Sequence, residues 1–307
     1  MNSGPMVSIL INNYNYGRFL GEAVDSALTQ SYPNIEVIVV DDGSTDNSRE
    51  VLAAYGDRIR AVLKENGGQA TAYNVGFAAS KGDIICLLDA DDIYKPDKVE
   101  HVVRVLEDNP SFGWCFDVVR QFDDRTGERY PWSTTHESGK WDVRAATAAG
   151  KPPLVPTASS GLSFRRKTAE QIFPMPELMR ITTGSSSDAY IKWIALALDE
   201  GWMSAAELTL MRVHSSNAYT NRPAGKKRLG GQIELFTGIC LYEQWPILQR
   251  LALKVFSRGL GVHWASGGLE PSYKQRVRLF VRNLALPQRS EVLIRATIWS
   301  TVRRFGH

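Results

Sequence analysis

Through the first hundred residues, apolar runs of strand length alternate with stretches whose apolar positions recur at helical spacing. Residues 6–11 (MVSILI), 35–40 (IEVIVV), 59–64 (IRAVLK) and 83–88 (DIICLL) read as four strands, the third the weakest. Phe19, Leu20, Ala23, Val24, Ala27 and Leu28 mark one face of a helix between the first two. Ser44 is a good N-cap for a second helix through about Tyr55. An Ala-rich helix opens after Gly67 and Gly68, and a fourth is expected over about residues 97–108. Strands that are apolar throughout, each followed by a helix, predict an α/β fold: a Rossmann-like, mostly parallel sheet flanked by helices. Three of the four strands end in polar clusters, NNYN, DDGS and DADD. In open sheets of this kind ligands bind outside the carboxyl ends of the strands.

Beyond residue 110 the pattern changes. Residues 112–122 and 205–213 read as strands, SSGLSFRR (159–166) as a short strand, and Asp188–Leu198 as a helix. Residues 130–160 are rich in loops, and from about residue 225 the chain is mostly helical. The expected division is residues 1–221, with a nucleotide-binding half 1–110 and an acceptor half 111–221, followed by a helical extension 222–307.

Composition adds little until charge is divided along the chain. The 307 residues are 43% hydrophobic and 22% charged, an ordinary globular balance with net charge +3. Residues 222–307 hold 15 Lys and Arg against 4 Asp and Glu, a net of +11, which leaves −8 for residues 1–221. An acidic body and a basic tail suggest two jobs. There is no apolar run long enough to span a bilayer and no signal-peptide pattern at the N-terminus. Cys86, Cys115 and Cys240 are widely spaced and read as reduced packing residues of a cytoplasmic protein.

Asp89, Asp91, Asp92 and Asp97 crowd into the twelve residues 86–97, which include the end of the fourth strand. Their oxygens suit a hard cation such as Mg²⁺ or Mn²⁺, held by one or two carboxylates and completed by phosphate oxygens. The same cluster also fits a solvated helix start. Asp42 has the chemistry to accept from a base or ribose, or to cap the helix that follows it. Tyr14 suits either stacking on a base or a half-buried loop position.

Taken together, VSILINNYN, VIVVDDGSTD and NGGQATAYNVGFAASKGDIICLLDADD resemble the family 2 glycosyltransferases of the GT-A fold. The likeness is dense over residues 5–110 and thinner over 159–217, through SGLSFRR, a segment ending in Asp188, and MRVHSSN. It implies an inverting, metal-dependent transfer from a nucleotide-sugar, a UDP-sugar above all, to a glycan or lipid-linked acceptor. By position, Asn13 and Tyr14 resemble the base-binding turn, although Asn12-Asn13 stands where Pro-Thr is common. Asp42 resembles the uracil-binding aspartate, Gln69 and Asn74 border the nucleotide, and Asp89 and Asp91 match the D-x-D, with Asp91 on the metal. Asp188 falls at the general base, where Ser187-Asp188 replaces the usual Glu-Asp. His214 resembles a late histidine near the metal. The chain lacks the Q-x-x-R-W signature of polymerising members, which implies single transfers in polysaccharide biosynthesis.

The competing classes fit less well. A nucleotidyltransferase would want a G-x-G-x-R motif after strand one, and an Asp-nucleophile phosphatase would not place Ile93 after D-x-D-x. A non-catalytic nucleotide-sugar-binding or membrane-docked scaffold stays open. In the basic tail, Lys226-Lys227-Arg228 is followed by two apolar stripes. Val277, Phe280, Val281 and Leu284 form one; Ile294, Ile298 and Val302, with Trp299, form the other beside Arg295, Arg303 and Arg304. Such stripes suit helix packing or peripheral contact with the inner face of an anionic membrane. No recognition motif accompanies the charge, so nucleic acid is not an expected partner.

Overall fold

Strands β1 (Val7–Asn13), β2 (Ile35–Asp41), β3 (Arg60–Leu63) and β4 (Ile84–Asp89) run parallel, with β1 between β2 and β4. The chain is described by a computed structural model covering residues 4–130, 137–176, 187–215, 217, 227–266, 269 and 271–305. Helices α1 (Gly17–Leu28), α2 (Ser48–Ala53) and α3 (Gln69–Ala79) connect these strands. Burial on both faces explains why the strands carry so few polar residues: Ile9, Leu10, Val39, Ile85 and Leu87 are all inaccessible. Each such side chain contributes roughly 1.5–3 kcal/mol over its exposed state.

The second half of the sheet mixes strand directions. After β5 (Ile93–Tyr94) and α4 (Lys98–Asp108) come β6 (Trp114–Asp123), β7 (Gly139–Trp141) and α5 (Arg144–Ala148). Next come β8 (Leu162–Arg165), α6 (Arg166–Ile172), α7 (Ser187–Leu198) and β9 (Gly201–Val213). The full order is β3-β2-β1-β4-β8-β6-β9-β5, with β7 also on β9. β8 lies antiparallel between β4 and β6, while β6 and β9 are parallel. The sheet is therefore parallel through its first four strands and mixed beyond them. The strand expected over 159–166 is shorter than that: Ser159–Gly161 is a 3₁₀ turn, and Arg166 already begins α6. After Gly127 an isolated bridge joins Phe122 and Arg129.

One ion pair lies wholly inside this unit. Lys98, in the first turn of α4, meets Asp117 of β6, and Thr209 Oγ1 of β9 donates to the same carboxylate at 2.7 Å. Both charged side chains are inaccessible. Burial pushes the Asp117 carboxyl up, and the neighbouring ammonium opposes the shift.

The chain divides into two compact units, residues 1–144 with 154–220 and residues 145–153 with 221–307. The short stretch 145–153 thus groups with the C-terminal helices, which the reading of residues 1–221 as one domain did not anticipate. Lys254 Nζ donates to Gly150 O at 2.6 Å within this unit. It is built from α8 (Lys227–Gln244), α9 (Gln249–Ser266), α10 (Pro271–Asn283) and α11 (Leu286–Phe305). Glycine lets α8 and α9 approach closely: a Cβ at Gly259 would stand 2.6 Å from Leu235 N and 2.7 Å from Gly231 O. Val277 and Phe280 of α10 and Leu284 just beyond it are buried, Phe280 against Phe256 at 4.6 Å between ring centroids. Among the described residues no helix is long and apolar enough to cross a membrane. All three cysteines are free and buried.

Candidate active site

Strand register brings the polar clusters together. Asn13 pairs with Asp41 across β1 and β2, and Asn12 pairs with Asp89 across β1 and β4. Asn13 is buried; its Nδ2 donates to Asp41 Oδ1 at 2.8 Å and to Ser44 Oγ at 3.2 Å. Its Oδ1 has no partner among the described residues. Asp42 is buried too, and accepts from Gly67 N–H at 2.9 Å, Gly68 N–H at 2.7 Å and the Lys64 ammonium. Gly68 sits at φ +89°, a conformation that favours glycine and aims its N–H at the carboxylate. Tyr14 is 42% exposed, a ring in solvent beside this cluster rather than a core residue.

Asp89 occupies a cage of donors. Asn12 Nδ2 at 2.7 Å, Gln69 Nε2 at 3.1 Å and Tyr73 OH at 3.0 Å all reach Oδ1, and Ser159 Oγ reaches Oδ2. Burial pushes the Asp89 carboxyl up and the charge of Asp91 adds to this, while the Ser159, Asn12 and Tyr73 bonds pull the other way. Burial and the charge of Asp89 drive the Tyr73 phenol well above its usual range. Gln69 keeps a buried Oε1 with no partner among the described residues. Asn74 turns away from the cage. Its amide donates to Met175 O at 2.8 Å and accepts from Met175 N–H at 2.6 Å, so both ends are engaged.

Asp91 stands apart from that cage. His214 Nε2 lies 3.1 Å from Asp91 Oδ2, and Asn217 Nδ2 donates to the same oxygen at 3.1 Å. Sequence positions 91 and 214 therefore meet. Asp92 faces inward instead, accepting from Ser160 Oγ at 2.5 Å and from Arg212 N–H at 3.0 Å. Burial, then the charges of Asp91 and Asp89, push its carboxyl well above the usual range. The Arg212 guanidinium donates to Asp91 O at 3.1 Å, Asp124 at 2.8 Å and Glu22 at 2.6 Å, and lies over the Phe19 and Phe122 rings. It offsets the charges of Asp124 and Glu22.

Asp188 begins α7, partly exposed. Its Oδ1 accepts from Ala189 N–H at 2.7 Å, and Lys192 Nζ lies 3.3 Å from Oδ2. Its charge is near enough to add to the upward shift at Tyr73, which ties it electrically to the Asp89 cage. The side chain of Ser187 lies outside the described residues.

The residues fit a divalent cation with few protein ligands. Among the described residues no three Asp, Glu, His or Cys side chains converge into a closed cage. Asp91 and His214 supply one carboxylate and one imidazole at a single point, leaving room for phosphate oxygens, while Asn217 braces them, its Nδ2 donating to Asp91 Oδ2 and its Oδ1 accepting from His214 N–H. Asp89 already accepts from neutral donors, three at Oδ1 and one at Oδ2. Arg212, Asn217, Tyr73, Ser159, Ser160 and Asn12 were missed by sequence reasoning. Asn217 had a signal, since it follows His214 by three residues in a loop; Tyr73 had none within a helix of its type.

Comparison with known proteins bears on the family and the fold. Residues 8–173 match the family described as "Glycosyl transferase family 2". That stretch contains Asp42, Asp89 and Asp91 but not Asp188 or His214. An uncharacterized glycosyltransferase of Nostoc sp. is 33% identical over 221 residues, 69% of this chain and 66% of that one. The chain spans less than half the length of other curated relatives it matches. Among solved structures, TarS residues 1–349 of S. aureus in complex with UDP-GlcNAc aligns with a TM-score of 0.61 at 14% identity, covering 97% of this chain and 82% of that one. The mannosyltransferase PcManGT of Pyrobaculum calidifontis, in complex with GDP-Man and Mn²⁺, aligns with a TM-score of 0.53 at 20% identity, covering 99% and 88%. Both likenesses establish the fold, the α/β arrangement of GT-A glycosyltransferases.

Proposed function

The chain belongs to glycosyl transferase family 2, and from that premise we propose that it transfers a single sugar from a nucleotide-sugar, a UDP-sugar in this reading, to a hydroxyl of a glycan or lipid-linked acceptor, with inversion. The carrying observation is the meeting of Asp91 with His214 and Asn217 beside the caged Asp89. That TarS is in complex with UDP-GlcNAc, and PcManGT with GDP-Man and Mn²⁺, supports a nucleotide-sugar donor.

Asp91 and His214, braced by Asn217, would hold Mn²⁺ or Mg²⁺, which when bound offsets the negative charge that grows on a departing diphosphate. The unpartnered acceptors Asn13 Oδ1 and Gln69 Oε1 suit N–H and O–H donors of a nucleoside. Tyr14 offers an exposed ring face for a base. The donor cage holds Asp89 in one place, so this carboxylate positions ligand hydroxyls. Asp188 takes the proton from the acceptor hydroxyl as it attacks, and Lys192 orients that carboxylate. A single carboxylate on the acceptor side serves one displacement and hence inversion, by the geometry that separates inverting from retaining glycosidases. Peripheral contact of residues 222–307 with the inner face of a membrane would present lipid-linked acceptors.

The test is melting of the whole chain with UDP, GDP and their sugars, with and without Mn²⁺, alongside a transfer assay. A donor at one hundred times its dissociation constant stabilises by about 2.7 kcal/mol, a rise of several degrees. Asp91→Asn should lose the Mn²⁺-dependent part of that rise and about 10²–10³ of the transfer rate, the loss typical when a transition-state charge loses its stabiliser. Asp188→Asn should keep the rise and lose transfer. If no nucleotide moves the melting point under either condition, the donor site is wrong; if Asp188→Asn transfers normally, the base lies elsewhere.

A further inference from the structure

The helices of the C-terminal unit enclose a cleft of about 510 Å³ between α9, α10 and α11. Its floor is aliphatic, from Leu260, Val277, Val281 and Leu293, and its rim carries Lys274, Arg278 and Arg282. Arg289 also lines it, but its guanidinium donates to Val281 O at 3.1 Å and Leu284 O at 3.3 Å, closing the end of α10. The three rim cations are different. Glu234, Glu243 and Glu291 are paired with Arg258, Arg276 and Arg295, so the described glutamates of these helices are already taken. Among the described residues, no carboxylate meets Lys274, Arg278 or Arg282.

Helix α11 beside the cleft is apolar on two sides. Val292, Ala296 and Ser300 are buried, against a tight approach at Gly261 whose Cβ would stand 2.7 Å from Ala296 O. On the opposite side Ile294, Ile298 and Val302 form an i, i+4 row at 61%, 57% and 55% exposure. A helix packed on one face has no need of such a row on the other. Trp264 and Trp299, each more than a third exposed, add the amphipathic rings typical of an interface.

We propose that this cleft binds the phosphate headgroup of an anionic lipid while the outward row of α11 enters the acyl boundary of the bilayer. The site deepens the membrane contact in the functional reading and rests on that part of it. A polyanion such as nucleic acid would use the cations but not the aliphatic floor or the exposed row; a lipid surface uses all three.

The full chain is floated with phosphatidylcholine vesicles, with and without phosphatidylglycerol. Binding should require phosphatidylglycerol and weaken as salt rises. Arg278→Gln and Arg282→Gln should each weaken it about fivefold, equivalent to about 1 kcal/mol per basic residue near an anionic surface. Ile298→Ser should weaken it as well. All three side chains are exposed, so melting points and the UDP-induced shift should stay unchanged. Undiminished binding by the two arginine variants overturns the cleft but leaves membrane contact standing. Failure of the wild type to float with phosphatidylglycerol removes both, while the UDP shift reports separately on the donor site. Binding to duplex DNA as tight as to vesicles, protection of the cleft by inorganic phosphate alone, or a dimer that Ile298→Ser dissociates would each overturn the lipid assignment.

Discussion

The N-terminal sheet and the C-terminal helices break the ordinary partition of side chains in opposite directions. At the strand ends, Asp42, Asp91, Asp92 and Asn13 are polar groups drawn inward. On α11, Ile294, Ile298 and Val302 are apolar groups left outside. Buried carboxylates are costly unless supplied with donors, and here Gly67, Gly68, Ser159, Ser160 and Tyr73 supply them. Exposed aliphatic rows cost little in a monomer's stability but are unusual in a packed helix. The contrast teaches that a surface can be singled out by residues that folding alone would have placed otherwise; in the proposed function the buried acids serve a cation and a nucleoside, and in the further inference the exposed aliphatic row serves a lipid.

The contrast breaks most severely at Lys98. Lys98→Met leaves the Asp117 carboxylate buried without its partner and should destabilise the N-terminal unit by about 3–5 kcal/mol. Lys98→Met with Asp117→Leu should recover most of the loss; denaturant melts of the three variants decide this. If the single variant is as stable as the wild type, the buried pair is not part of what holds β6 to α4.

A smaller effect comes from pH. The Asp92 and Asp89 carboxyls are held above their ordinary value in the folded state, so the folded chain binds the extra protons. Their contribution is full below the ordinary carboxylate range and is lost as pH rises through the raised values. Stability without metal should therefore decline as pH rises from about 4. Asp92→Asn keeps an acceptor for Arg212 N–H and offers Ser160 Oγ a donor; it should flatten the decline. A melting profile as steep as the wild type's would show that Asp92 is ionised throughout.

The smallest expected change is at Ile298. Ile298→Ser should shift unfolding by no more than about 0.5 kcal/mol, as at other open surface sites. A loss of several kcal/mol would mean that this side chain is covered in the folded chain and that the row on α11 belongs to packing.

Much of this was legible beforehand because strand burial writes itself into the sequence. β1, β2 and β4 are apolar at nearly every position, and their ends are polar, so the location of the site followed from the pattern. Position 91 meeting position 214 rested on the family resemblance, since 123 residues of chain separate them and no local pattern links them. What stayed hidden were residues that act through shape alone. Ser159 and Ser160 look like any turn serines until the antiparallel β8 carries them to Asp89 and Asp92. Asn74 showed the reverse: a residue in a strong motif whose amide is occupied by the backbone of Met175. The two stripes of the basic tail looked alike in sequence, and only packing separated them, with α10 turning its stripe inward and α11 leaving its row in solvent.

The register of β1 fixes a ruler into the molecule. Successive asparagines, Asn12 and Asn13, reach to opposite neighbouring strands, one to Asp89 and the other to Asp41. The distance between those two anchor points is set by strand spacing, roughly 4.8 Å per step across the sheet. No single side-chain exchange can stretch or shorten that gauge. A lineage that changed its donor would have to do so by rebuilding the loops above the strands, while the frame beneath them kept one fixed width.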